Sequence, residues 1–343
     1  MADTATTLPP APAPAPAPAP ARDASRFDTR AFLTRYGSWI ALALLILINL
    51  AITPNFATWQ TLNVNLTQVC TIVIVGVGMT LVIATGGIDL SVGALMAIAG
   101  ALAPLIFLGK LFPLPDPAVG IALAFVLPVL VTGGLGWFNG WLVTHLRIQP
   151  IIATLVLFIA GRGIAQVFTN GNLQVFNLPD FQFIGLGRVF GIPFQAILMA
   201  AIVAAAAWML RHTVFGRQIL AIGGNERAAR LAGIPVASVK QRVYLISGLL
   251  SGIAGLIVIA RNSAADANLV GLGMELDAIA AVAVGGTLLT GGRATVVGTL
   301  VGALIIQLVR YTLLANGVPD AAALVAKAGI IVMAVWLQRQ GQR

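Results

Sequence analysis

The chain has 343 residues, of which 59% are hydrophobic and only 9% charged; ordinary soluble domains carry about 25% charged residues, so a soluble fold is excluded. The net charge of +9 does not mark a nucleic-acid binder, because the basic residues are scattered through short loops and form no patch interleaved with aromatics. A single cysteine, Cys70, excludes an internal disulfide and a thiolate cluster, and the isolated His145 and His212 read as side chains at helix ends, not as metal ligands.

A mean hydropathy of +0.96 points to a polytopic membrane protein. Its spans are expected to be helices, since an open sheet edge in lipid leaves backbone groups without partners. Residues 1–36 read as a cytoplasmic tail. Within it, LPPAPAPAPAPAPA from Leu8 to Ala21 cannot be helical, because each proline fixes φ and lacks an N–H. No charged start precedes an early apolar core of the kind a cleaved signal carries, so the first apolar run, from near Trp39, reads as a retained span.

Apolar runs of the length that crosses a hydrocarbon core, roughly 17–25 residues, recur after that point. The spacing predicts an all-α fold with about ten spans, at 37–53, 65–85, 90–108, 119–144, 149–169, 192–210, 242–261, 275–290, 294–314 and 320–338. The transmembrane domain thus covers 37–338, with a loop at 211–241 and a short tail at 339–343. Fourteen of the twenty basic residues fall in segments on the side of the N-terminus, against Lys110, Arg188 and Arg261 opposite. The positive-inside rule then places both termini in the cytoplasm.

Residues 85–95, TGGIDLSVGAL, align without a gap on 290–300, TGGRATVVGTL, with six identities in eleven positions. Both strings lie at predicted inner turns. Glycine serves turn geometry and close helix approach. Asp89 falls opposite Ala294, so the turn itself does not require a carboxylate; Asp89 is expected to cap the third span through the N–H of Ser91 or Val92.

In the long inner loop, GGNERAARLAGIP (223–235) has Asn225 suited to an N-cap, Glu226 to a first turn, Gly233 to a left-handed C′ position and Pro235 to a stop. The enclosed helix is too short to stand alone and must pack on something. Helical spacing puts Ala228, Leu231 and Ala232 on one face and Arg227 and Arg230 on another, a shape that suits a groove offering carboxylates. No G-x-x-x-x-G-K-[ST] string is present, so energy from ATP would have to arrive through a separate subunit.

TGGIDLSVG (85–93) together with GGNERAARLAGI (223–234) resembles the permease family of ATP-binding-cassette importers of the ribose, xylose and galactose type, over residues 37–338. GRGIAQVFTNG (161–171), ADAN (265–268) and ELDAIAAVAVGG (275–286) are similar to inner-membrane permeases of the galactofuranose importer. The resemblance implies a permease fold in the bacterial inner membrane, a second permease copy or homologue, a cytosolic ATPase and a periplasmic sugar-binding protein. ATP and magnesium would be held by the ATPase and no cofactor by this chain. It carries Asn225, Glu226, Ala228, Ala229 and Gly233 onto the coupling segment, and Thr85, Gly86, Gly87, Asp89 and Ser91 onto the family signature.

Ionisable groups in spans are functional candidates by default. Arg162 lies well inside span five, whereas Arg310 and Lys327 sit nearer span ends, within reach of an interface. Gln68, Gln166 and Gln307 suit either sugar hydroxyls or bonds between helices. Asp266, Asn268, Glu275 and Asp277 fall where an outer protein would dock or release sugar, and the acids read equally as solvated loop residues. An ion-gradient-driven transporter or channel for a small polar solute is the alternative, supported by Gly-rich, broken spans and the internal similarity.

Overall fold

The computed structural model describes residues 29–111, 113, 116–319, 321–325, 328, 329 and 332. The Ala-Pro tract, Lys327, most of the last expected span and the segment 339–343 lie outside the described residues. In chain order the elements are α1 (Thr29–Ile52), α2 (Trp59–Ala84), α3 (Val92–Phe107), α4 (Pro117–Thr144), α5 (Pro150–Thr169), β1 (Gln174–Val175), α6 (Pro179–Leu186), β2 (Arg188–Val189), β3 (Ile192–Pro193), α7 (Phe194–His212), α8 (Val214–Gly224), α9 (Glu226–Leu231), α10 (Val236–Asn262), β4 (Ala264–Ala265), α11 (Met274–Val284) and α12 (Val296–Ala315).

Six helices among the described residues are long and apolar enough to cross a membrane: α2, α4, α5, α7, α10 and α12. They divide by burial. The most apolar windows of α2 and α10 are 83% and 78% buried, whereas those of α4 and α5 are 28% buried. A helix apolar all round belongs at the centre of a bundle, and one with an apolar face turned outward meets lipid. Hence α2 and α10 form the core with α3, and α4, α5 and α7 surround it.

Small residues set the closest approaches. Gly136 of α4 lies against the Tyr244 carbonyl of α10, and Gly248 of α10 against the Thr132 carbonyl of α4, so that a Cβ at either would strike backbone. This is the small-residue packing by which helices associate where lipid removes a hydrophobic driving force.

The structure departs from the sequence expectations in three places. The stretch expected to be a span at 275–290 is the 11-residue α11 followed by a non-helical turn; at 1.5 Å per residue α11 reaches only about 16 Å, roughly half a hydrocarbon core. Hydropathy detected its apolar character but not the break, which the Gly285–Gly286 pair introduces: Gly286 has φ +83°. Helices α6 and α8 occupy segments read as loops. Finally, β1 pairs with β4 through Gln174 and Ala265, tying the 170–191 loop to the 262–274 loop by a contact that sequence spacing did not suggest.

Candidate functional site

The signature turn ends in a buried polar node. Asp89 is fully buried. Its Oδ1 accepts from the Ser91 N–H (3.0 Å) and the Ser91 hydroxyl (2.6 Å), and its Oδ2 accepts from the Ser247 hydroxyl of α10 (2.8 Å). Ser91 Oγ in turn accepts from Asn139 Nδ2 of α4 (2.9 Å). From α5, Thr154 Oγ1 accepts from the Leu90 N–H (3.1 Å). The expected bond from Ser91 N–H is present, but the role is larger than capping: α3 starts one residue beyond Ser91, and Ser91 itself makes no side-chain cap. The carboxylate ties the start of α3 to α10 directly and to α4 through Ser91. Sequence reasoning missed Ser247, Asn139 and Thr154. One signal was available for α10, because Ser247, Gly248, Ser251, Gly252 and Gly255 repeat small residues at helical spacing.

A second feature is a cavity of about 1090 Å³ bounded by α2, α10, α12 and the segment 269–277. Its polar lining includes Asn63, Gln68 and Thr71 from α2, Gln307 and Arg310 from α12, and Asp277 from the first turn of α11. Arg188 and Arg261 also face it; the sequence reading treated both only as topology charges. Gln307 Nε2 donates to Gln68 Oε1 at 2.7 Å, so this pair both lines the cavity and joins α12 to α2. Arg261 Nη1 donates to the Thr67 carbonyl at 3.3 Å, joining α10 to α2.

The remaining residues expected on the path do not face the cavity. Arg162 reaches from α5 to the back of the 263–273 segment, where Nη1 donates to the Ala267 and Val270 carbonyls at 2.9 and 2.6 Å. Gln166 Nε2 donates to Asn268 Oδ1 at 2.7 Å, and Asp266 Oδ1 accepts from the Asn268 N–H at 2.8 Å. Arg162, Gln166, Asp266 and Asn268 therefore brace an irregular segment from behind, satisfying backbone groups that non-helical chain leaves open. Glu275 was read as a gate or a solvated loop acid. It is 7% exposed, and a Cβ at Gly93 would come within 2.6 Å of its Oε2. Half-helix α11 begins inside the fold, so its first acid is packed against α3.

The docking loop forms the third feature. Asn225 Oδ1 accepts from the Ala228 N–H at 3.0 Å, and Gly233 takes the left-handed conformation with φ +80°. The cap and stop residues act as their chemistry dictates. The face assignment changes: the buried residue of α9 is Ala229, whereas Arg227, Ala228, Arg230, Leu231 and Ala232 are exposed. Leu231 is 91% exposed. Glu226 fastens α9 in place, accepting from Lys240 Nζ of α10 at 2.7 Å and from Arg230 Nη2 at 3.0 Å.

The Lys240 hydrogen bond is the main cause holding the Glu226 carboxyl below its ordinary value of 4.5. A lowered folded value means that the clamp is fully formed above pH 4.5 and is lost as pH falls through the lower value. Since Glu226 is partly exposed, the contribution is only about 0.5 kcal/mol. The anisotropy of a probe attached at Ala232 is therefore expected to stay flat from neutral pH to about 4.5 and to fall below it, with Glu226→Gln abolishing the step. A step near neutrality would sink this assignment of the clamp.

A helical bundle with a half-helix, a polar cavity and a capped surface helix has the features of a membrane transport protein. The family model for the branched-chain amino acid transport system / permease component matches residues 62–335, and the chain belongs to that family. It is 42% identical to the ribose import permease protein RbsC of Escherichia coli K12, over 92% of this chain and 97% of that one. It is 41% identical to the galactofuranose transporter permease protein YtfT of the same strain, over 88% of each chain. A fructose import permease protein, FruF of Bifidobacterium longum, is 37% identical over 76% of this chain and 72% of its own.

Proposed function

We propose that this chain is the transmembrane permease of an ATP-driven importer that passes a monosaccharide across the bacterial inner membrane. In this reading two permeases, identical or homologous, stand over two cytosolic ATPase subunits. A periplasmic binding protein delivers sugar, and ATP with magnesium is held by the ATPase alone. About ten crossings, one of them made by α11 together with the non-helical chain beside it, and both termini in the cytoplasm complete the topology.

The observation that carries the reading is α9, a helix capped at both ends, clamped by Glu226 to α10, and presenting Leu231 between exposed arginines. Such a surface fits an external motor with an acidic-rimmed groove. The cavity suits weak, exchanging contacts with hydroxyl groups, because amides and guanidinium groups both donate to them and several already have protein partners. Relatives named for ribose and for galactofuranose set the two sugars to try first.

The test is uptake into proteoliposomes holding this chain with the ATPase and the binding protein encoded beside it, using labelled ribose and labelled galactofuranose. Uptake of one sugar that requires ATP, magnesium and the binding protein is expected. Uptake by this chain alone, driven by an ion gradient without ATP, would replace the proposal with a secondary transporter.

A further inference from the structure

Three glycine-containing turns that are far apart in the chain meet at one point. Gly86 and Gly87 follow the end of α2, Gly223 and Gly224 close α8, and Gly291 and Gly292 lie in the turn between α11 and α12. A Cβ on Gly223 would land on the Ala84 carbonyl oxygen and on Gly292 N. One on Gly291 would lie 2.9 Å from Gly86 N, and one on Gly292 would lie 2.9 Å from Gly224 Cα. Across this junction the Gly292 N–H donates to the Ala84 carbonyl at 3.1 Å, satisfying a group left open by the end of α2. Gly86, Gly291 and Gly292 all have positive φ, so their turns and their contacts both select glycine.

The position of this junction gives it consequence. Asn225, the cap of α9, directly follows Gly224. On the other side lie two helices that line the cavity. Helix α2 ends at Ala84 and carries Gln68 about 24 Å back along its axis, and α12 starts just past the glycine turn and carries Gln307 and Arg310. Between side chains, a small displacement can be absorbed by a change of rotamer. Backbone against backbone has no such freedom.

We infer that Gly86, Gly223, Gly224, Gly291 and Gly292 form a rigid joint through which the docking loop, α2 and α12 move as one body, so that displacement of α9 reaches the cavity. The inference rests on the importer reading above. Gly223→Ala forces α8 away from α2 while leaving the exposed face of α9 unaltered; Gly224→Ala, whose Cβ meets nothing within 4 Å, does not.

In the reconstituted complex, Gly223→Ala is expected to keep ATPase binding and ATP hydrolysis but to lower sugar taken up per ATP by about tenfold or more, the scale of a coupling free energy between two sites. Gly224→Ala is expected to match the unaltered protein. A pair of spin labels at Ala232 and Ala315, both exposed and outside the joint, adds an independent readout. A separation between them that is the same with and without ATP is expected of a rigid joint. A separation that changes when ATP binds overturns it, and this pair decides the matter if Gly223→Ala is not recovered in the membrane. An unaltered complex with no ATP-dependent uptake refutes the importer reading; normal coupling in Gly223→Ala refutes the joint alone.

Discussion

Asp89→Ala is expected to destabilise the protein by about 3 kcal/mol or more, because three buried donors lose their acceptor and each unsatisfied group costs about 1–3 kcal/mol. The donors are the Ser91 N–H and the hydroxyls of Ser91 and Ser247. Loss of the carboxylate also removes the hydrogen bond that joins the start of α3 to α10, since no other group described at the node receives the Ser247 hydroxyl. Asp89→Asn should behave differently. Its carbonyl oxygen still accepts from Ser91, and its amide can donate to Ser247 Oγ once that hydroxyl turns. The two variants and the unaltered protein can be compared by thermal unfolding in detergent together with sugar uptake. Asn is expected within about 1 kcal/mol of the unaltered protein, and Ala well below it. Equal melting and equal uptake for Ala would show that the node ties nothing together.

Leu231→Asp is expected to weaken docking of the proposed ATPase by about thirtyfold or more while leaving this chain's own stability unchanged. The side chain is 91% exposed, so its removal opens no cavity within the protein. At an interface, an apolar side chain at the centre of a patch and ringed by polar groups typically costs about 2 kcal/mol on loss, or roughly thirtyfold in Kd. Arg227 and Arg230 supply the ring, and an aspartate placed among them also opposes an acidic partner. Ala228→Trp should act in the same direction by steric obstruction. Ala229 is unsuited to this test because it lies on the buried face of α9, and a larger residue there disturbs the loop. The measurement is co-purification of the ATPase with each variant, alongside the variant's melting temperature. Undiminished assembly with Leu231→Asp would remove α9 from the docking surface.

Local chemistry was readable from the sequence wherever one segment decides its own conformation. Asn225 and Gly233 bound α9 because a side-chain acceptor at an N-cap and a left-handed glycine at C′ act within a few residues. The apolar runs of α2, α4, α5, α7, α10 and α12 were legible for the same reason, as each satisfies its own backbone. The internal similarity of 85–95 to 290–300 marked two glycine turns that the fold brings into contact, although similarity alone gave no sign that they touch.

Partnership was not readable. Asp89 looked like a cap for α3, and only the packing of α10 and α4 beside it makes it the acceptor of Ser247 and, through Ser91, a tether for Asn139. Arg162 looked like a group on the solute path; the fold turns it to the carbonyls behind the 263–273 segment, while Arg188 and Arg261, read as charges for topology, face the cavity. Hydropathy sums over a window and carries no direction around the helix axis when every face is apolar, as in α2 and α10. By itself the sequence determined a helical membrane protein, its principal spans and a capped surface helix, all set by short-range backbone and solvation energies. Which polar groups meet, that α11 begins inside the fold, and that three glycine-containing turns share one point were decided by tertiary structure, because they depend on contacts between segments whose separation along the chain encodes no distance in space.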